Sequence, residues 1–451
     1  MHYLNLPSSN VDLLALHQRN PQRYPYLLES VANGGVLARY NILFAFPQHT
    51  LVLRNHELRY QDQLMSDRSF LVALDQLWRE EKSAVHSPKI DKLPFQGGWF
   101  LYLGYELAAE VEPSLHLPEA QDGLPTAFAT RVPAAIIEDK HNKQTYLVSE
   151  DKTLLARMEQ DYLHAIDSSA IDSTGISIQL QEEEASRHYQ VVEQAKQYIL
   201  DGDIFQANLS RLWRGELESK LCASALYNSL RLHNPSPFAG LLEFEGVAVI
   251  SSSPERLVEV RGKQVQTRPI AGTRPRHSNE EDKCVTEELL RHPKERAEHI
   301  MLIDLERNDL GRISVPGSVQ VDELMVLETY SHVHHIVSNV KGELRDGVTP
   351  GEVIAAVFPG GTITGCPKVR CMQIIAELET EGRGAYTGSM GYLNHNGDMD
   401  LNILIRTLVK KDESIRLRAG GGIVIDSDPE SELKETRAKA RGLLRALGIE
   451  L

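Results

Sequence analysis

Over the first 165 residues the apolar positions fall in short runs that end on turn residues. RYNILFAFP (39–47), TLVLRN (50–55), FQGGWFLYLGYELA (95–108) and TYLVSEDK (145–152) read as strands joined by turns. The segment 166–189 is rich in Ser, Asp and Glu and poor in aromatics, and reads as a connecting loop. A boundary is placed near 180, dividing an N-terminal region (1–180) from a second region (181–451). Beyond it, SRHYQVVEQAKQYIL has the spacing of an amphipathic helix, followed by a Gly202-Asp203 turn and a strand. ALYNSLRLHN (225–234) is helical and is stopped by the two prolines of NPSP.

Strands with glycine turns follow over 238–270. A long helix is expected over 279–306, with acidic residues of SNEED in its first turn. Strand patterns recur over 331–344, 384–410 and 414–428. The last helix is expected over 429–447, with Ser427 or Asp428 as cap and Pro429 at its first position. Strand–turn–strand runs outnumber βαβ alternation. The fold class expected is therefore α+β, with large, mostly antiparallel sheets.

Composition narrows the class. In 451 residues, 41% apolar and 25% charged residues are ordinary for a globular chain with a sizeable core. A net charge of −15 argues against nucleic-acid binding, so an anionic substrate needs local positive charge. Cys222, Cys284, Cys366 and Cys371 form neither a disulfide framework nor paired C-x-x-C, which fits reduced thiols in the cytoplasm. No apolar run is long enough for a membrane span, and the first residues lack a secretory pattern.

Four constellations carry chemistry. Glu295 and Glu298, and Glu432 and Glu435, each share a helix face at i, i+3; two approaching helices would offer hard oxygen ligands to a divalent cation. Solvated faces with Lys and Arg partners are the commoner meaning of such spacing. Glu255, after Pro254 at the end of an apolar strand, suits a partly desolvated acid, or a turn salt bridge with Arg256 or Arg268. FPGGTITGCPKVRCM (358–372) has Cys366 where a phosphate loop needs Lys, leaving a bed of N–H groups for a carboxylate or a plain glycine turn. In YSHVHHIVS, His332 and His334 share one strand face and His335 the other; a zinc pair lacks further ligands. AGGGIV (419–424) and Arg406 add backbone donors and a guanidinium able to fork onto a carboxylate.

These pieces, in order, resemble the chorismate-utilising enzymes. The motifs are GDIFQANLS, SPERL, TRPIAGTR, RAEHIMLIDLERNDLGR, YSHVHHIVS, GGTITGCPKVR, GYLN, IRT and AGGGIV, with YPYLLES and FQGGWFLYLGYE extending the match to the N-terminal region. The resemblance implies a sandwich of two sheets with helices outside. It implies Mg²⁺ on Glu298 and Glu435, with Glu295 and Glu432 beside them, holding the ring carboxylate of chorismate. Glu255 is then the general acid at the departing C4 hydroxyl, with His335 near that hydroxyl. Tyr392 and Arg406 would grip the enolpyruvyl carboxylate. Thr364, Gly365, Lys368 and Gly421 would meet substrate carboxylates, and Ala271, Gly272 and Thr273 would line the same site. Leu28, Glu29, Ser30, Asn234, Pro235 and Phe238 resemble the family's tryptophan pocket, or else a strand edge and a turn.

Within the family, Gln206 stands where isochorismate and salicylate synthases carry a lysine base, so ammonia rather than water is the expected nucleophile. No glutaminase elbow is present, which implies ammonia from a separate glutamine amidotransferase subunit. Ala271 agrees with anthranilate synthases and excludes a covalent lysine adduct there. Asn208 and Thr364 agree with the aminodeoxychorismate synthases, component I of which is the expected function. A non-catalytic chorismate-binding subunit would have dispensed with Glu255 or the metal glutamates, and all are present.

Overall fold

The computed structural model describes residues 1–7, 11–32, 38–65, 69–81, 92–165, 171, 173, 175–276, 293–329 and 333–449. Two twelve-stranded antiparallel sheets form its centre. In the first, the strands run in the order His2–Pro7, Gln144–Ser149, Ala134–Asp139, Tyr40–Ala45, Tyr26–Glu29, Phe238–Phe244, Val247–Ser253, Thr407–Lys411, Ser414–Ile423, Gln206–Leu217 and Ile178–Glu182. The short Gly365–Cys366 strand pairs onto Gln206–Leu217. In the second, the order is Ile270–Pro275, Val333–Glu343, Gln264–Thr267, Arg256–Arg261, Met399–Asn402, Ser389–Asn394, Gly98–Leu103, Ala127–Val132, Thr50–Arg54, Glu57–Tyr60 and Gln63–Met65. Gln320–Thr329 pairs onto Val333–Glu343.

The period of two explains the layering. In the strand Gly98–Leu103, Phe100 and Tyr102 face the other sheet and pack with Tyr26, Phe44 and Phe128. Trp99, Leu101 and Leu103 face the opposite way, against the helices Phe70–Glu81 and Pro350–Val357. All six residues of this strand are buried, as a strand covered on both faces requires. The outer face of the first sheet is covered by the helices Leu13–Arg19, Lys152–Ala165, Ala223–His233 and Pro429–Ala446. The order is thus helices, sheet, sheet, helices, the sandwich that the resemblance implies.

Several expectations shift in detail. Residues Ile178–Glu182 form an edge strand on Gln206–Leu217 rather than a loop. The boundary near 180 does not separate two bodies. Tyr26–Glu29 pairs with Phe238–Phe244, and Gly98–Leu103 with Ser389–Asn394, so both regions supply strands to both sheets. The long helix is described over Pro293–Gly311, reaching beyond the expected end at 306, and its expected opening at 279–292 lies outside the described residues. The final helix is capped by Asp428, whose carboxylate accepts the Ser431 N–H at 2.8 Å, with Pro429 in the first turn.

Candidate active site

Glu255 enters at the end of the strand Val247–Ser253. Its backbone N–H donates to Ser253 Oγ at 3.2 Å, and its carbonyl accepts the Ile403 N–H at 3.0 Å. The side chain is only 5% exposed. Burial pushes its pKa up to about 7, against the pull of the nearby Thr362 and Ile270 and the charges of Arg406 and Lys439. The turn salt bridge is absent. Arg256 forks onto Asp400 with both contacts at 2.9 Å, and Arg268 is paired with Glu323 and Glu328, each at 2.6 Å.

Arg406 sits in a left-handed conformation, φ 52°, and its guanidinium is lowered by burial while Glu255 opposes that effect. Its positive charge also bears on His335, which is buried in the strand Val333–Glu343. Burial first, and Arg406 second, bring the His335 imidazole down to about 3, so it is neutral at ordinary pH. Facing it is the strand Ile270–Pro275. Ala271 there is buried and pairs with Ile336, and the backbone of Thr273 pairs with that of His335. Between them Gly272, φ 70°, makes an irregular step and a backbone hydrogen bond to His335. Glu255, Ala271, Gly272, His335 and Arg406 therefore form one group.

Next to it runs the glycine strip of the strand Ser414–Ile423, which pairs Gly421 with Leu209 and Gly422 with Asn208. A Cβ on Gly420 would stand 2.7 Å from the Tyr386 hydroxyl. One on Gly421 would stand 3.3 Å from Glu432 Oε2 and 3.4 Å from Glu435 Oε1, and one on Gly422 3.4 Å from Glu298 Oε1. Three of the predicted metal carboxylates thus approach the strip. Gly365, φ 134°, pairs with Ala207, and only glycine fits there because a Cβ would run into the Gln206 carbonyl. The Thr364 hydroxyl donates to Gly360 O at 3.0 Å, so it serves its own loop. Asn208 Oδ1 and Thr362 Oγ1 are buried with no hydrogen-bond partner, which leaves polar atoms for a ligand to meet.

The carboxylates suit a hard divalent cation in kind. Glu298 is raised by burial and by the charges of Glu295 and Glu435, and accepts from Gln206 Nε2 at 2.9 Å. Lys439 sits at 2.8 Å from Glu435, Arg274 at 3.1 Å from Glu295, and Ser427 Oγ at 2.6 Å from Glu432. Among the described residues no three His, Cys, Asp or Glu side chains form a ready-made metal cage. Glu298, Glu432 and Glu435 approach one glycine strip, while Lys439 and Arg274 are basic partners of the kind that solvated helix faces also carry.

Four predicted residues lie elsewhere. Lys368 gives its amine to buried Asp309 at 2.5 Å. Tyr392 points between the sheets, with its hydroxyl accepting from Arg261 Nη2 at 2.7 Å, because the parity of the strand Ser389–Asn394 sends Met390 and Tyr392 inward. It lines a cavity of about 370 Å³ with Leu28, Glu29, Ser30 and Phe238, the predicted tryptophan residues, rather than meeting Arg406. Tyr386, two residues after Gly384 in the preceding loop, is the tyrosine on the glycine strip, and the GAYTG stretch was its only signal. Asn234 turns toward Gly442 and, with Pro235, does not line that cavity. His334 Nδ1 is 2.9 Å from Thr329 Oγ1, while His332 and Cys284 lie outside the described residues.

Comparison with known proteins was made with this geometry in hand. The family model for chorismate binding enzyme matches residues 38–445. Aminodeoxychorismate synthase component 1 of Bacillus subtilis is 52% identical over 261 residues, covering 58% of this chain and 55% of that protein. Anthranilate synthase component 1 of Acetivibrio thermocellus is 38% identical over 445 residues, covering 94% and 90%. The crystal structure of anthranilate synthase component I from Streptococcus pneumoniae superposes with a TM-score of 0.81 at 34% identity, covering 91% of this chain and 93% of that one.

Proposed function

The chain belongs to the chorismate-binding enzymes, and on that premise we propose that it is aminodeoxychorismate synthase component I, aminating chorismate at C4. The observation that carries the chemistry is Glu255, a buried carboxyl held near pKa 7 beside Arg406 and neutral His335. Such an acid gives its proton to the C4 hydroxyl as the C–O bond breaks and water leaves. Ammonia forms the new C–N bond and sheds a proton to solvent, and the enolpyruvyl ether is retained. Arg406 and the glycine-strip N–H groups suit the substrate carboxylates. Mg²⁺ held by Glu298 and Glu435, with Glu295 and Glu432 beside it, would supply charge neutralisation at the ring carboxylate.

Gln206 in place of a lysine base favours ammonia over water, and its amide is engaged with Glu298. A glutamine amidotransferase subunit is the proposed source of that ammonia. Asn208 and Thr364 support C4 amination. Anthranilate synthase component I is the second reading, favoured by Ala271 and by the nearly full-length relatives of that name. Incubation with chorismate, Mg²⁺ and ammonium at alkaline pH separates the two. Aminodeoxychorismate, converted by an added lyase to p-aminobenzoate, is the expected product; fluorescent anthranilate would reject it.

The cavity between the sheets is proposed to hold tryptophan, its apolar wall of Leu28, Phe238 and Met390 facing Arg256 and Asp400. Calorimetric titration with tryptophan tests this, and absence of heat with either enantiomer would remove it.

A further inference from the structure

One buried guanidinium has no part in the reaction as described so far, yet it joins three segments of the site. Arg383 is 5% exposed. Its Nε and Nη2 fork onto Glu379 at 2.9 and 2.6 Å, which fixes the plane of the group. The remaining N–H groups reach other segments. Nη2 donates to Asn208 O at 2.7 Å, and Nη1 donates to Ile363 O at 3.2 Å and Thr387 Oγ1 at 3.4 Å. All five N–H groups of the side chain are thereby engaged. The guanidinium carbon also lies 5.5 Å from the centre of the Tyr386 ring. The backbone on either side is held from the N-terminal region: Glu106 accepts the Arg383 N–H at 2.7 Å, and Asp122 the Ala385 N–H at 3.0 Å.

We propose that Arg383 is a positioning residue for chorismate, tying the segments of Asn208, Ile363 and Tyr386 to one planar group beside the glycine strip. This rests on the reading of that strip as the chorismate site. Asn208 Oδ1 and the Tyr386 hydroxyl stand 3.1 and 2.7 Å from where a Cβ on Gly420 would lie. Thr364 follows Ile363, and its carbonyl takes the Asn208 N–H at 2.8 Å. A shift of any one segment therefore moves polar atoms that face the substrate. Lysine cannot do the same work. Its ammonium keeps the charge beside Glu379, but its donors leave from a single atom and cannot reach Asn208 O and Ile363 O in one plane.

The test compares the full chain with Arg383→Lys and with Arg131→Lys. Arg131 is also a buried guanidinium on two carboxylates, Glu81 and Glu150, and serves as the control for lost stability. Urea unfolding measures that loss in each variant. Arg383→Lys should raise the KM for chorismate about tenfold or more at saturating Mg²⁺ and fixed NH₃. Arg131→Lys should leave KM within about twofold of wild type. Tyr386→Phe should raise KM as well, and combined with Arg383→Lys should raise it by less than the product of the two. Hydrogen exchange reads the joint without substrate. In Arg383→Lys, the peptides carrying Asn208, Thr364 and Tyr386 should lose protection together. Should Arg383→Lys not fold, Glu379→Gln/Arg383→Gln, which removes both charges of the pair, carries the same measurements. An unchanged KM in a folded Arg383 variant, an equal rise in Arg131→Lys, or protection lost evenly along the chain would overturn the proposal. Absence of chorismate turnover by the wild type would instead sink the reading of the strip, and the exchange measurement would still decide the joint.

Discussion

At the scale of single residues, the proposed acid Glu255 should set the pH response. Its pKa of about 7 means the acid is charged with its proton below that value and spent above it. With the NH₃ concentration held constant, kcat should therefore fall as pH rises through about 7, and a flat profile to pH 9 would exclude Glu255 as the acid. Glu255→Gln should lower kcat by about 10²–10⁴-fold, the usual worth of a positioned acid. Its Tm at pH 8 should not fall, because burying an ionised carboxylate is a cost that glutamine avoids. The Ser-Ser-Ser-Pro-Glu turn made this residue visible in the sequence. Its environment was not visible, since Ile270 and Thr362 reach it from remote segments. Tyr392 shows the opposite failure, a motif residue whose strand parity carries it to another cavity. The glycines were a different matter: Gly421 was selected as substrate-facing, and the adjacent carboxylates give it a testable cost. Gly421→Ala would press a methyl against Glu432 and Glu435, and should raise the Mg²⁺ concentration needed for half-maximal turnover. An unchanged metal titration would separate the strip from the metal.

Between elements, the joint of the helix Lys368–Glu379 with the first sheet rests on buried charge. Glu379 takes Arg383 at 2.6 Å, Arg418 at 3.4 Å and the Ser210 N–H at 2.8 Å. The two guanidiniums hold its carboxyl below the usual range even though burial opposes this. Glu379→Gln leaves two buried cations short of countercharge, and should cost roughly 3–5 kcal/mol of stability by urea unfolding. Because the group is shielded, added salt should change that cost little. A loss under 1 kcal/mol would show that water reaches the cluster. Caps and breakers made elements legible here: Asp428-Pro429 opens the last helix, and Asn234 closes Ala223–His233. The helix Phe70–Glu81 was hidden among strand-like runs, although Phe70, Leu71, Leu74, Leu77 and Trp78 form a helical stripe. The edge strand Ile178–Glu182 was hidden for a physical reason. A half-exposed edge needs few apolar residues, so its polar sequence resembles a loop.

For the whole molecule, the pairing order matters more than the change in texture near residue 180. The fold class follows from strand patterning, but pairing between distant strands leaves no local signature. Residues 181–451 contain the proposed acid, the glycine strip and all four proposed metal carboxylates, and so contain every candidate catalytic group. They do not contain the strands that complete the sheets. Removing 1–180 would strip Tyr26–Glu29 from Phe238–Phe244 and Gly98–Leu103 from Ser389–Asn394. Two long strand edges would then face water, and the core between the sheets would lose Tyr26, Phe44, Phe100, Tyr102 and Phe128. The full chain should accordingly unfold in one calorimetric transition, with its site and the inter-sheet cavity lost together. The 181–451 fragment expressed alone should aggregate or lack a cooperative transition. A soluble fragment that melts cooperatively and consumes chorismate would show that the second half carries its own core, and that the interleaving of the sheets is dispensable for the chemistry.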